Sequence, residues 1–289
     1  MKIKKTREDI ILDAVISVIL ILFAAVCLYP IWFVLMASFS DSTSVTMSHG
    51  LLFWPKNFSL KAYKLVFQNK LFFNGFKNSI KLLCMSLPIN LTLTVMCGYF
   101  LACKGMMFKK PIATMILITM YFSGGMIPQY LNVKELGLYN THWSIVLTGA
   151  MSVYNCFICR TAIDSIPESL KESAYLDGAN DLQILFKVIL PLIKPTLAVL
   201  AMYYGVGMWS SWFKASIYLK TNAMIPIQNV LRSVLILQQN TGVDAPNVDE
   251  YAETIKYAAI VIATFPVLCV YPFLQKHFTK GVLVGAVKG

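Results

Sequence analysis

Six long apolar runs constrain this chain more than any other feature of its sequence. A helix needs about 20 apolar residues to cross roughly 30 Å of hydrocarbon, and buried helices of soluble proteins need no such runs. The runs cover Ile10–Phe39, Phe76–Cys103, Ile112–Ile127, His142–Cys159, Pro195–Leu219 and Tyr257–Phe273. Hydrophobic residues make up 57% of the 289 residues and charged residues 13%, which excludes a soluble domain of this size. The sequence therefore predicts an all-α membrane protein with six transmembrane helices, the third being the shortest.

The distribution of positive charge predicts the topology. The chain starts with basic residues (Lys2, Lys4, Lys5 and Arg7), but the apolar run that follows is too long for a cleaved signal peptide. With the N-terminus in the cytoplasm, six spans return the C-terminus to the same side, and the inner segments hold 14 of the 25 Lys and Arg residues. We expect a multi-pass protein of the bacterial cytoplasmic membrane with both termini inside. This topology explains the net charge of +11 without a nucleic-acid partner.

The sequence predicts one transmembrane domain over residues 1–289 and no bound cofactor or metal. Cys156 and Cys159 form a CxxC within a predicted span, where small apolar packing residues are the favoured interpretation over a metal or redox site. The histidines, His49, His142 and His277, have no spacing typical of a metal site. The chain has no GxxxxGK[ST] loop, so we expect no ATP hydrolysis by this chain alone.

The predicted inner loop Asp164–Lys194 carries strong signals for helix starts and stops. Ser165-Ile-Pro-Glu168 reads as a capping box, in which the Ser165 hydroxyl accepts from a backbone N–H and Glu168 reaches back. The helix that begins there is expected to end near Leu176, because Gly178 can adopt the left-handed conformation that closes a helix.

A second helix is predicted directly after this turn. Asn180 or Asp181 can cap it, and its apolar residues continue to Leu190. Pro191 and Pro195 then mark the entry into the fifth span. The loop is therefore expected to fold as helix, turn, helix.

This loop closely resembles the EAA loop of binding-protein-dependent importer permeases. The family pattern is EAA, three residues, G, nine residues and I-x-L-P. Here Glu172-Ser-Ala-Tyr-Leu-Asp-Gly178 is followed, after nine residues, by Val188-Ile-Leu-Pro191. The departures, Ser173 for alanine and Val188 for isoleucine, keep the small and branched character of those positions.

The resemblance extends over nearly the whole chain. Ser123–Tyr130, Leu136–Leu138, Asp177–Asn180 and the tail Gly281–Gly289 are similar to the maltose-type carbohydrate importers, and nearest to permeases for complex or uronate-containing oligosaccharides. The resemblance implies the type I ABC importer permease fold with a cytoplasmic coupling helix. It also implies a paralogous second permease, two ATPase subunits that bind the ATP and Mg, and an extracytoplasmic solute-binding protein.

The resemblance assigns two groups of residues to contact with the ATPase. In the family, the coupling helix sits in a groove of the ATPase and passes on its closure as a rigid-body movement. The matching residues here are Glu172, Ser173, Ala174, Asp177, Gly178, Leu190 and Pro191. The C-terminal residues Gly285, Lys288 and Gly289 match a tail that reaches between the ATPase subunits.

Two further groups are candidates for the solute path. Ser86, Asn90, Thr94 and Cys97 form one polar stripe on the second span, which either lines a path or hydrogen-bonds to neighbouring helices; helix packing is favoured. Trp209 and Trp212 either stack on sugar rings or lie in the interfacial aromatic belt, and the belt is favoured.

Two other function classes are weighed against the importer. The first is a membrane-embedded enzyme or a signalling and scaffold protein. An enzyme would need polar catalytic groups clustered at one membrane face, and the sequence offers no such cluster. An ion-driven carrier would need ionisable relay residues within its spans, where this chain has almost none. The importer subunit is therefore the expected function, and the particular sugar is not encoded in any motif.

Overall fold

The computed structural model describes residues 7–47, 50–236 and 252–286. The described chain is helical and contains no strand. Its helices are α1 (Arg7–Ser38), α2 (Ser42–Thr46), α3 (Lys61–Gln68), α4 (Lys70–Ala102), α5 (Lys109–Tyr121), α6 (Met126–Glu135), α7 (His142–Thr148), α8 (Val153–Asp164), α9 (Glu168–Leu176), α10 (Asp181–Gln183), a π-helix (Ile184–Ile189), α11 (Leu190–Leu192), α12 (Lys194–Trp209), α13 (Phe213–Tyr218), a 3-10 turn (Asn222–Met224), α14 (Ile227–Ile236) and α15 (Ala252–Ala286).

The described helices provide up to six membrane spans, as the hydropathy predicted. Helices α1, α4 and the segment Glu253–Val270 of α15 are each long and apolar enough to cross a membrane alone. Three bent pairs meet the same criterion together: α5 with α6, α7 with α8, and Asp181–Leu192 with α12. The predicted all-α membrane architecture is confirmed, and three of the up to six candidate spans consist of a bent helix pair.

The third predicted span, Ile112–Ile127, is wrong as a single helix. Helix α5 ends at Tyr121, and α6 begins at Met126 after a bend of 113°. Gly125 has a φ of +89°, a conformation that favours glycine, and its N–H donates to the Ser123 hydroxyl at 3.2 Å. The Ser-Gly-Gly sequence therefore interrupts the helix.

The fifth predicted span, Pro195–Leu219, is also shorter than expected. Helix α12 ends at Trp209, and α13 starts only at Phe213. The last helical hydrogen bond is of the 3-10 type, because the Ser211 N–H donates to the Met208 carbonyl three residues back at 3.2 Å. The break lies beside the cavity described below.

The predicted outer loops contain helices of their own. Helices α2 and α3 lie within Ser40–Gly75, α6 lies largely within Pro128–Thr141, and α14 lies within Lys220–Lys256. Residues 237–251 of the last loop, together with His49 and the tail residues Lys288 and Gly289, lie outside the described part of the chain.

The fold contains two compact units, each with its own core. The first comprises Met1–Lys70 and Ser233–Thr264. In it, Met36, Ala37, Val45 and Leu52 are buried, and Phe33 meets Tyr257 edge to face with ring centroids 5.8 Å apart. Most of α1 is exposed, with none of its apolar window buried within the chain, as expected of a surface that lipid or a partner covers.

The second unit comprises Leu71–Arg232 and Phe265–Gly289. Helix α4 buries the polar stripe Ser86, Asn90 and Thr94 at 0–1% exposure. The Thr94 hydroxyl pairs with the Tyr204 hydroxyl of α12 at 2.6 Å, which is the interhelical hydrogen bond that the favoured interpretation of the stripe predicts. Cys97, the fourth residue of the stripe, is partly exposed.

Helices α4 and α8 approach closely at Gly98. A β-carbon there would lie 2.9 Å from Cβ and Sγ of Cys159 and 3.2 Å from the Arg160 nitrogen. Cys156 and Cys159 are both fully buried in α8, so the CxxC cysteines lie in the packed interior. Small residues at such crossings let helices pack without a gap.

We expect Gly98→Ala to destabilise the second unit by about 1–3 kcal/mol, because the added methyl group must displace Cys159 or the backbone of α8. Gly205→Ala in α12 is the matched control, since a β-carbon there meets only Leu87 at 4.0 Å. Thermal unfolding of the two purified variants in one detergent measures the difference. Equal unfolding midpoints would contradict the close crossing.

Candidate functional site

The predicted inner loop folds as a helical hairpin, here called the inner hairpin (Glu168–Leu192). Its first arm, α9, ends in a complete Schellman motif. The Ala179 N–H donates to the Ala174 carbonyl and the Gly178 N–H to the Tyr175 carbonyl, both at 3.0 Å. Gly178 has a φ of +79°, which confirms the predicted left-handed turn.

The capping box predicted at Ser165 is wrong. Ser165 is the C-terminal cap of α8, and its hydroxyl donates back to the Ala162 carbonyl at 2.7 Å. Helix α9 therefore begins after Pro167 without a side-chain cap. Glu168 does not reach back either, because its carboxylate pairs with Lys104 beyond the end of α4. This pairing raises the pKa of Lys104.

The second arm starts with the cap that the sequence predicted at Asn180. The Gln183 N–H donates to Asn180 Oδ1 at 2.8 Å, and the Asn180 N–H donates to Gln183 Oε1 at 3.0 Å. The adjacent Asp181 accepts a hydrogen bond from the Tyr175 hydroxyl and so ties the two arms together. That hydrogen bond raises the pKa of Tyr175. This clamp was not predicted from the sequence, because its geometry depends on the turn between the arms.

The second arm continues through a π-helix, Ile184–Ile189, in which the Leu190 N–H donates to the Leu185 carbonyl five residues back. Proline lacks an N–H and cannot complete an α-helical ladder, and both Pro191 and Pro195 follow. The arm and α12 are bent by 83° relative to each other. The predicted apolar arm is confirmed, but it is not regular α-helix.

One face of the hairpin is buried against the membrane helices. Ile184, Leu185 and Ile189 lie in an apolar cluster, and each is no more than 4% exposed. The same cluster contains Val95 and Ala102 of α4, Cys159 and Ile163 of α8, and Leu200 of α12. A core of this kind is close-packed, so the hairpin moves with the helices beneath it.

The opposite face presents exposed apolar side chains. Leu176 is 89% exposed, Leu182 65% and Phe186 63%. Glu172 and Ser173 of the EAA match are exposed too, whereas Ala174 is partly buried. Exposed leucine and phenylalanine side chains on both arms of one hairpin are typical of a protein-binding surface.

The second unit also contains a cavity of about 630 Å³, a size typical of small-molecule sites. It lies beside the 51° break between α7 and α8. Asn90 of the polar stripe lines it, and its Oδ1 atom has no hydrogen-bond partner. Tyr204 lines it too, and its hydroxyl accepts from the Ser152 N–H at 2.9 Å.

Lys214 is the one charged residue among those that line this cavity. Its ammonium group donates to the Thr148 carbonyl at 3.0 Å, on the α7 side of the break. Lys214 belongs to none of the candidate groups predicted from the sequence. The signal was present, since Lys214 is an isolated lysine within the apolar run Pro195–Leu219.

The two tryptophans have different surroundings. Trp209 is 6% exposed and meets the ring of Phe76 edge to face, with centroids 5.5 Å apart. The favoured belt position is wrong for Trp209, because a belt residue lies at the surface. Trp212 is 38% exposed, and the Arg232 guanidinium lies 4.2 Å from the centre of its ring. Neither tryptophan lines the cavity.

The remaining candidate residues are less well placed. Ser86 is buried and does not line the cavity, and His142 is buried with its Nε2 atom 3.0 Å from the Met224 carbonyl. Gly285 lies near the end of α15. Within the described residues, no group of three or more His, Cys, Asp or Glu side chains could hold a metal ion.

Broken helices, a cavity beside one break and a capped hairpin with an exposed apolar face are typical of membrane transport proteins. Residues 6–284 match the family described as binding-protein-dependent transport system inner membrane component. The chain belongs to this family. It is therefore a multi-pass membrane protein and an ABC importer permease, which is a transport subunit and not an enzyme.

Individual proteins support the same assignment. The chain is 37% identical over 281 residues to the polygalacturonan/rhamnogalacturonan transport system permease protein YtcP of Bacillus subtilis (strain 168), covering 96% of this chain and 98% of YtcP. A chain in the crystal structure of a bacterial ABC transporter involved in the import of the acidic polysaccharide alginate superposes with a TM-score of 0.90 at 32% identity. That match covers 96% of this chain and 100% of the other.

A second solved chain shows the fold alone. It comes from a crystal structure of the bacterial alginate ABC transporter in complex with alginate pentasaccharide-bound periplasmic protein. The TM-score is 0.58 at 18% identity, and the match covers 93% of each chain.

We expect Asn180→Ala to weaken the second arm of the hairpin by about 1 kcal/mol, because the Gln183 N–H loses its acceptor. Ser165→Ala is the matched control, since the Ser165 hydroxyl caps no N–H. Amide hydrogen exchange over residues 181–190 measures the effect. Faster exchange in Asn180→Ala and not in Ser165→Ala is the expected result, and the reverse order would restore the capping box at Ser165.

Proposed function

We propose that this chain forms one half of a translocation path that carries an oligosaccharide into the cytoplasm. Its partners are a paralogous permease, an ATPase dimer and an extracytoplasmic solute-binding protein. The names of the similar proteins, which refer to polygalacturonan, rhamnogalacturonan and the acidic polysaccharide alginate, support the carbohydrate class. The family match over residues 6–284 supports a single permease domain.

The inner hairpin is the observation that carries the docking part of the proposal. It combines the EAA spacing with a closed turn at Gly178 and an exposed apolar tip at Leu176. An apolar side chain that is 89% exposed gains free energy only when a partner or a lipid covers it. We assign the exposed face, with Glu172 and Ser173, to a groove of the ATPase.

The buried face of the hairpin supports a coupling role. Ile184 and Ile189 pack in one cluster with residues of α4, α8 and α12, so a displacement of the tip reaches those helices as a rigid-body movement. The ion pair between Glu168 and Lys104 adds a second connection, from the start of α9 to the end of α4. Leu190 and Pro191 of the motif lie where the hairpin leads into α12.

The docking site determines the proposed orientation. A hairpin that binds a cytoplasmic ATPase places the end of α8 inside, and both chain termini with it. We assign Gly285, Lys288 and Gly289 to a further ATPase contact, on the resemblance of the tail. ATP and Mg then belong to the ATPase partners, and this chain supplies no nucleotide-binding loop.

We expect Gly178→Val to leave the protein inserted but to uncouple ATP hydrolysis from uptake. A β-carbon at Gly178 meets nothing within 4 Å, so the effect comes from the φ of +79° and not from a clash. The left-handed conformation costs non-glycine residues about 1–2 kcal/mol. Gly178→Asn is the control, because asparagine tolerates this region better. Uptake and ATPase rates in proteoliposomes test it; normal coupling in the valine variant would count against the rigid turn.

The ATPase contact is tested by charge at the hairpin tip. We expect Leu176→Asp to lower the amount of ATPase that copurifies with the tagged chain at least about tenfold, since a carboxylate placed in an apolar groove must be desolvated. Leu136→Asp is the matched control, because Leu136 is 64% exposed at the end of α6, on the side proposed to face outward. Quantitative mass spectrometry of the purified assemblies reads the result. Full ATPase recovery with Leu176→Asp would remove the hairpin from the interface.

A further inference from the structure

The cavity beside the break between α7 and α8 contains a cation without an acidic partner. Lys214, in the first turn of α13, is partly buried there. Its ammonium group has three N–H donors, and within the described chain it meets one acceptor, the Thr148 carbonyl at 3.0 Å. No aspartate or glutamate lines this cavity.

A lone lysine in this position is costly for the protein. The bilayer environment disfavours an unpaired charge, and such residues usually pair or mark a substrate path. A neutral carbonyl satisfies one N–H but does not compensate the charge. Neutralisation by an anion would satisfy the remaining donors as well as the charge.

The rest of the lining is suited to hydroxyl-rich molecules. Asn90, Ser152, Tyr203 and Ser211 all line the cavity and carry neutral hydrogen-bonding groups. Asn90 is only 1% exposed, and its Oδ1 atom has no hydrogen-bond partner. Gly207 also lines the cavity, and the space beside it is empty, because a β-carbon there would meet nothing within 4 Å. The volume of about 630 Å³ accommodates a small polar ligand.

We infer that Lys214 binds a carboxylate of the transported sugar, so that this subunit selects acidic oligosaccharides within its own cavity. The inference rests on the proposed function and adds to it a residue and a chemical class of ligand. The single positive charge matches one carboxylate at a time. The surrounding amide and hydroxyl groups then contact the sugar hydroxyls.

The test changes the charge on the protein and on the ligand independently. The ligands are a uronate trisaccharide and the carboxyl-reduced trisaccharide with the same linkage. The protein is the assembled transporter in nanodiscs without its binding protein, so that selection by that protein does not enter. Variants are Lys214→Met, which removes the charge, and Lys214→Arg, which keeps it. Lys220→Met is the control, since Lys220 is exposed and does not line the cavity.

Equilibrium binding of both trisaccharides to all four proteins gives a cycle that isolates the charge pair. We expect the wild type, Lys214→Arg and Lys220→Met to prefer the uronate, and Lys214→Met to lose about tenfold in affinity for the uronate alone. An equal loss for both sugars would show that Lys214 merely holds the Thr148 carbonyl and would overturn the inference. A wild type that does not distinguish the two sugars, or binds neither, would overturn it too.

A failure of the proposed function is distinguishable from these outcomes. Copurification of the ATPase and ATP-dependent uptake test the importer assembly without reference to Lys214. If copurification and uptake are retained while the two sugars bind equally, only the role proposed for Lys214 is rejected. If both are lost in the wild type, the importer assignment falls with it.

Discussion

The need to satisfy backbone polar groups within broken spans is the constraint on which the rest of this structure depends. Hydrocarbon offers no hydrogen bonds, so irregular backbone at membrane depth must be paired by the protein or by water in a cavity. At the break between α7 and α8, the Ser152 N–H donates to the Tyr204 hydroxyl, and the Thr148 carbonyl accepts from the Lys214 ammonium group. The groups that repair the break are thereby also the groups that line the cavity. A substitution at one of these groups is therefore expected to affect both the local fold and the cavity.

The docking role proposed for the inner hairpin sets a different requirement, because the hairpin must be stiff and must also bind a partner outside its own chain. Stiffness comes from the turn at Gly178, the capping box at Asn180 and the clamp from Tyr175 to Asp181, all within the hairpin itself. The capacity to bind comes from side chains that the fold leaves uncovered, with Leu176 at 89% exposure. A hairpin stabilised only by burial would have no apolar face left for a partner.

Local chemistry was predictable from the sequence, and tertiary partners were not. Gly178 and Asn180 act within a few residues, so their roles could be read from spacing alone. The capping box predicted at Ser165 was wrong because Ser165 lies between two helices. Helix α8 extends far enough for the Ser165 hydroxyl to bond at its C-terminal end. The partner of Thr94 lies 110 residues away on α12, which no periodicity could identify. The bend after Tyr121 was signalled by Ser123-Gly-Gly, but the apolar run around it hid the break.

The cavity and the hairpin are connected by the same three helices. In α8, Asn155 lines the cavity and Ile163 lies in the hairpin cluster, about 12 Å further along at 1.5 Å per residue. Helix α12 likewise has Leu200 in that cluster and Tyr204 in the cavity wall, and α4 contributes to both sites through Val95 and Asn90. Close-packed helices transmit displacements with little compression. A tilt imposed on the hairpin therefore changes the distances between Asn90, Tyr204 and the break at Ser152. Under the proposed function, an ATPase bound at the hairpin acts mechanically on the cavity without contacting the sugar.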